Sequence, residues 1–182
     1  MEGNVSRVLV KAELRKAMKR LLSALSQGEK ASQSTVVANK VEALPAFQNA
    51  RRVAFFLSMP EEVDTNSMLK TAFATGKECF VPRYTKTDME MYQVRDLDDI
   101  KTLPLTKWNI PQPEDIDARK SAMDAGGLDM IIVPGLAFSR DGGRLGRGKG
   151  YYDKYIQKCN DFAAQTRRTA PQCMAAQDCA QA

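Results

Sequence analysis

The chain contains no histidine. That removes the commonest general base and the commonest transition-metal ligand. Any catalysis must rest on carboxylates, Tyr, Lys or Arg, on a hard cation, or on the positioning of a reactive substrate. No apolar run is long enough to span a bilayer, and the N-terminus is a charged, helix-patterned segment rather than a secretory leader. No membrane partner and a cytoplasmic location are therefore expected. Cysteine is sparse. Cys79, Cys159, Cys173 and Cys179 follow no zinc spacing and read as reduced intracellular thiols. Acidic residues fall short of basic ones, 22 against 27, for a net charge of +5. That favours anionic ligands in general but is too small to imply nucleic acid, and the aromatic interleaving of single-strand binders is missing.

What remains is ordinary for one globular core. The chain has 182 residues, 43% of them hydrophobic. Val10, Leu14, Met18, Leu21, Leu22 and Leu25 fall at helical spacing over residues 6 to 25. Ser26 and Glu29 have capping-box spacing and open a second helix, which Pro45 should end. RVAFFLS (52–58) reads as a buried parallel strand. Met68, Leu69, Ala72 and Phe73 mark a helix stopped by Gly76. KECFVPRY and MEMYQV read as strands, the second at an edge. Residues 95–127 are polar and rich in turn signals, and LDMIIVP (128–134) is the strongest strand in the chain. Strands alternating with helices predict a single-domain α/β fold with an open, mostly parallel sheet flanked by helices. Ligands gather at the carboxyl ends of such strands. Glu61, Glu62, Arg83, Tyr84 and the segment after residue 134 should therefore lie near one another.

That segment carries GGRLGRGKGYYD (142–153). Five of the 11 glycines fall between Gly142 and Gly150, among Arg144, Arg147 and Lys149. The P-loop spacing almost fits, but Gly150 stands where Ser or Thr should hold magnesium. The dinucleotide fingerprint fails on glycine spacing. The physics is nonetheless shared: glycines let several N–H groups point at one oxyanion, and a following helix adds its positive end. A solvated basic loop is the plainer alternative. Asp153, in the first turn of that helix, either complements the helix dipole or ligates Mg²⁺ beside phosphates.

RLGRGKGYYD resembles the signature of the 5-formyltetrahydrofolate cyclo-ligases, also called methenyltetrahydrofolate synthetases. FLSMPEEVDT, CFVPRY, LPLTKWNIPQPE and GLDMIIVPGLAF agree in order and spacing, so the resemblance runs from about Arg7 to Cys159. It implies an ATP- and Mg²⁺-dependent enzyme that converts 5-formyltetrahydrofolate, with or without a polyglutamate tail, to 5,10-methenyltetrahydrofolate, and a monomer is expected. By the same resemblance ATP would meet Arg7, Lys11 and the run Arg144, Leu145, Gly146, Arg147, Gly148, Lys149, Gly150, Tyr151 and Tyr152. Leu57, Glu62, Trp108 and Tyr151 would face the folate, and Asp153 would hold magnesium. Arg147, Lys149 and Tyr151 are the candidates for catalysis. Taken alone, Glu61, Glu62 and Lys11 could be solvated charges, and Trp108 could be core or a cap over a loop.

Beyond Cys159 the resemblance ends. Residues 160–182 show no strand pattern, and Phe162 and Met174 are their only large apolar residues. A disordered or weakly helical tail is expected there, beside a cyclo-ligase-like domain over residues 1–159. The family's final strand, and a second acidic magnesium ligand, would be missing. Asp161 and Asp178 are the only acids in this stretch. A replaced or truncated end, and a catalytically impaired nucleotide- or folate-binding variant, are the corresponding expectations.

Overall fold

A computed structural model describes residues 2–175, with side chains from residue 9 onward. Two helices open the chain, α1 (Glu2–Ala24) and α2 (Gln27–Ala43). Between them Ser26 and Glu29 form the expected reciprocal capping box, which satisfies two orphan N–H donors at the start of α2. Pro45 does more than end α2. Its fixed φ suits the first position of a helix, and it begins the short α3 (Pro45–Asn49).

The sheet follows from where continuous apolar runs lie. Its strands are β1 (Arg52–Ala54), β2 (Glu78–Tyr84), β3 (Met89–Val94), β4 (Met130–Val133) and β7 (Gln172–Ala175), in the order β3-β2-β1-β4-β7. All neighbours are parallel except the edge pair β2 and β3. The four residues of β4 are all buried, as a central parallel strand covered on both faces requires. Strand β1 is shorter than its apolar run predicts. Phe55, Phe56 and Leu57 leave the ladder yet stay buried. Helix α4 (Asn66–Ala74) buries Met68, Leu69 and Ala72, and Gly76 follows it at φ +74°. The polar stretch 95–127 holds α5 (Leu97–Thr102) and one turn of 3₁₀ helix, tied by Arg119 to the buried Asp99 at 2.7 Å. Strand β5 (Ala137–Phe138) and β6 (Arg144–Leu145) form a separate hairpin, and α6 (Tyr151–Gln165) packs on the sheet through Tyr152, Tyr155, Cys159 and Ala163.

The region after Cys159 corrects the sequence reading. Helix α6 continues to Gln165, Arg167 turns the chain at φ +54°, and residues 172–175 pair in parallel with β4. The missing strand, and a disordered or weakly helical tail over residues 160–182, of which 160–175 are described, were expected because this stretch has few large apolar residues and Gln172-Cys-Met-Ala has no β-branched residue and no alternation. An edge strand needs neither, because the backbone of β4 supplies its ladder, beginning with Gln172 N–H donating to the Asp129 carbonyl at 3.0 Å. Asp178 and Cys179 lie outside the described residues. Cys79 and Cys159 are buried free thiols, both pushed up to about 12 by desolvation, and Cys173 is an exposed free thiol. No described helix is long and apolar enough to cross a membrane.

Candidate active site

The strand order reverses between β1 and β4. The connection from β1 through α4 leads to β2 on one side, while β4 lies on the other. Such a switch point opens a crevice at the carboxyl ends of the two strands. The loops leaving β1 and β4 are the Glu62 loop and the glycine-rich segment. They meet: Arg147 donates from Nε to Glu62 Oε1 at 3.2 Å, and its Nη2 lies 3.1 Å from Glu62 and 3.7 Å from Glu61. Glu62 is in turn fixed by its own loop, accepting from the Met59 N–H at 3.0 Å, and its side chain is only 11% exposed. Arg147 is thus neutralised by protein carboxylates.

The glycine segment divides into two parts. Gly142 (φ +84°) and Gly143 form the tip of the β5–β6 hairpin, where Ser139 N–H donates to the Gly143 carbonyl at 2.8 Å. These glycines serve the turn. Only Gly146, Gly148 and Gly150 lie in the loop before α6. Gly148 and Gly150 have φ of +104° and +70°, and Gly150 caps α6. Lys149 is exposed and has no ion pair among the described residues. Arg144 is occupied: it donates to the Pro134 carbonyl at 3.0 Å, pairs with Asp153, and lies over the Tyr152 ring at 5.8 Å. Leu145 is buried in β6.

The aromatic wall joins this loop to β2. Tyr151 packs on Tyr84 with ring centroids 5.2 Å apart and donates to the Thr85 carbonyl at 2.9 Å. The Tyr84 and Tyr152 hydroxyls lie 3.4 Å apart. Burial pushes the Tyr84 phenol up to about 12 and also raises Tyr152 well above the ordinary phenol value, so both stay protonated at neutral pH. Leu57 is buried next to this edge, on the chain leaving β1. Trp108 is neither core nor a tight cap: it is 61% exposed, with the Lys107 ammonium over its ring at 4.6 Å.

Arg7 lies in α1, but its side chain falls outside the described residues. Lys11 is exposed on the same helix, and among the described residues it makes no hydrogen bond or ion pair to the loop. The residue that does is Arg15, which donates from Nε to the Gly146 carbonyl at 2.9 Å and lies against Gly148. The sequence reading missed it. Its signal was helical spacing, since Lys11 and Arg15 lie four residues apart and share one face of α1.

Asp153 is the magnesium candidate. Its side chain is 70% exposed and pairs with Arg144. Asp161 is hydrogen-bonded to Gln157, two turns further along α6, about 12 Å of rise from Asp153 at 1.5 Å per residue. The two cannot share an ion. Among the described residues no three His, Cys, Asp or Glu side chains gather to hold a metal. One carboxylate suits Mg²⁺ only in the company of nucleotide phosphate oxygens. A shallow groove of about 650 Å³ does begin at Asp153, but it runs along the outer face of α6 past Met123 and Phe162, away from the glycine loop. Its lysines are taken: Lys158 pairs with Glu90, and Lys154 reaches the Thr87 carbonyl.

Fold and site together define an α/β protein with a basic glycine loop at the switch point of a mostly parallel sheet. The model of the 5-formyltetrahydrofolate cyclo-ligase family matches residues 7–181, and the chain belongs to that family. The match includes the strand after α6. A mouse 5-formyltetrahydrofolate cyclo-ligase is 46% identical over 151 residues, which cover 82% of this chain and 74% of that protein. A Caenorhabditis elegans protein named a probable 5-formyltetrahydrofolate cyclo-ligase is 41% identical, covering 81% and 72%. The solution structure of Aquifex aeolicus 5,10-methenyltetrahydrofolate synthetase aligns with a TM-score of 0.69 at 28% identity, covering 91% of this chain and 76% of that one.

Proposed function

We propose that the chain is a 5-formyltetrahydrofolate cyclo-ligase that uses ATP and Mg²⁺ to form 5,10-methenyltetrahydrofolate, ADP and phosphate. The observation that carries this, in a member of the family, is the Arg147–Glu62 contact. It joins the basic glycine loop and the β1 loop in one crevice, so that a nucleotide and a second substrate would be held side by side.

The chemistry suits a site without histidine. The formyl group on N5 is an amide, and its oxygen leaves poorly. Transfer of the γ-phosphoryl to that oxygen gives an N5-iminium phosphate and ADP. N10 then attacks the activated carbon, the C–O bond breaks, phosphate leaves with the former formyl oxygen, and the N10 proton passes to solvent. Phosphoryl transfer asks mainly for positioning and charge neutralisation. Lys149, which is unpaired among the described residues, and Arg147, released from Glu62, supply the charge. The N–H groups of Gly146–Gly150 and the start of α6 supply dipoles. Arg15, with Lys11 and Arg7 on the same helix, would close on the nucleotide. Ring closure occurs within one substrate and gains mainly from orientation, the task assigned to Tyr151, Leu57, Glu62 and Trp108. A magnesium ion bound with the nucleotide would screen the phosphates. Asp153 would hold it once Arg144 gives way, the other ligands coming from phosphate and water.

The impaired-variant alternative rested on a missing final strand and a missing second acidic magnesium ligand; against the first of these stands β7, which pairs in parallel with β4. The test is to mix protein, ATP–Mg²⁺ and 5-formyltetrahydrofolate and follow the near-ultraviolet absorbance of the methenyl product. A rise that requires both substrates is expected. Binding of both with no rise over hours overturns the reading.

A further inference from the structure

Arg83 has no task in the mechanism above. It sits in β2 at the carboxyl edge of the sheet, one residue before Tyr84. It is half-buried, its Nε is fully buried, and that Nε has no hydrogen-bond partner. Among the described residues its guanidinium makes no ion pair. Its cross-strand neighbour is Glu90, and Glu90 pairs with Lys158 of α6 instead.

A guanidinium cannot shed its charge, so burial without a partner is costly and unusual. The other partly buried arginines are held. Arg119 binds Asp99 and Asp115, Arg144 binds Asp153, and Arg15 binds the Gly146 carbonyl; Arg52 shares a buried, unpartnered Nε but is held through its Nη atoms by the Ala125 carbonyl and Asp129. Position makes the exception informative. The β1–β2 register ends at the pair Ala54 and Phe80, so Arg83 lies three residues beyond it, on the stretch of β2 that runs past the end of β1. It directly precedes Tyr84, whose ring packs on Tyr151, one of the residues assigned above to the folate. The cations already committed to phosphates, Arg147 and Lys149, lie on the glycine loop.

We infer that Arg83 anchors an oxyanion of the bound substrates, expected to be a glutamyl carboxylate of the folate. This rests on the cyclo-ligase reading and adds a residue to it. A planar fork matches a carboxylate in two parallel hydrogen bonds, which a lysine cannot reproduce.

The test compares wild type, Arg83→Ala and Arg83→Lys by steady-state kinetics with three probes: 5-formyltetrahydrofolate, an analogue ending at the benzoyl group without the glutamate, and ATP. Thermal melting of each variant checks the fold. Arg83→Ala should raise KM for 5-formyltetrahydrofolate about tenfold to hundredfold, the loss expected for one charge-assisted contact, with kcat and KM for ATP little changed. Arg83→Lys should recover part of the loss, and the truncated analogue should not distinguish wild type from variant. A rise in KM for ATP alone would keep the anchor but assign it to phosphate. Unchanged constants for both substrates in a folded Arg83→Ala protein would overturn the inference, as would equal losses with the truncated analogue and no change for ATP. If wild type binds neither substrate, both readings fall; if wild type turns over and Arg83→Ala equals it, only this one does.

Discussion

Charge on the glycine loop is not interchangeable between neighbours. Arg147 is balanced by Glu61 and Glu62, whereas Lys149 has no ion pair among the described residues. An incoming phosphate must displace carboxylates to reach Arg147 but meets Lys149 directly. Lys149→Ala should therefore reduce kcat/KM for ATP about tenfold to hundredfold and leave thermal stability unchanged. Steady-state kinetics with ATP varied checks this, and wild-type values would remove Lys149 from the phosphate site. Asp99 is the opposite case, a purely structural charge. It is 5% exposed, and the Arg119 guanidinium holds its carboxyl far below the usual carboxylate range. A depressed folded pKa contributes stability above the unfolded value, about 3.9, which is lost only as pH falls below it. Asp99→Asn should destabilise the fold by about 3 kcal/mol between pH 5 and 8, since it leaves a buried arginine short of a partner. The gap to wild type should begin to shrink below about pH 4, where Asp99 of the unfolded chain takes up a proton while the folded carboxylate stays ionised. Urea melts at pH 7 and pH 3.5 measure both values, and a gap that does not depend on pH would refute the assignment.

Among the elements, those legible in the sequence carry their reason for folding within themselves. Strand β4 is four buried apolar residues, and the Ser26–Glu29 box marks the start of α2. What was not legible depends on a partner. Gln172–Ala175 becomes a strand only because β4 offers a free edge. The glycines of residues 142–150 look like one cradle, but a hairpin takes the first two. Arg15 belongs to the site through a backbone carbonyl 131 residues away. In the parallel ladder N–H groups alternate inward and outward, and Gln172 N–H points to β4. Met174 N–H should then point inward and Cys173 N–H outward. Met174→Pro should lower the melting temperature by several degrees, at roughly 2–4 °C per kcal/mol for a chain of this size. Cys173→Pro should lower it far less. Equal melting temperatures for the two variants would mean that β7 does not pair in this register.

At the scale of the whole molecule, α1 stands apart. Leu9, Val10, Leu14 and Leu21 are all more than 40% exposed, and the hydrogen bond from Arg15 to Gly146 is its one long-range side-chain tie among the described residues. A helix held by so few buried contacts belongs to the least stable part of the fold. Its tie ends on the glycine loop. A nucleotide bound there would therefore meet Arg15, and with it Lys11 on the same face. The binding energy of the nucleotide would be shared between the loop and the helix, and coupling of this kind is reciprocal. Amide hydrogen exchange should find α1 among the fastest-exchanging helices of the free protein, and ATP–Mg²⁺ should slow it more than it slows α2 or α4. Arg15→Ala should weaken ATP binding and also abolish the protection of α1 at saturating ATP, while the loop itself remains protected. If α1 exchanges no faster than α2, or if ATP protects the loop but leaves α1 unchanged in the wild type, the helix is a fixed part of the scaffold and takes no part in closing over the nucleotide.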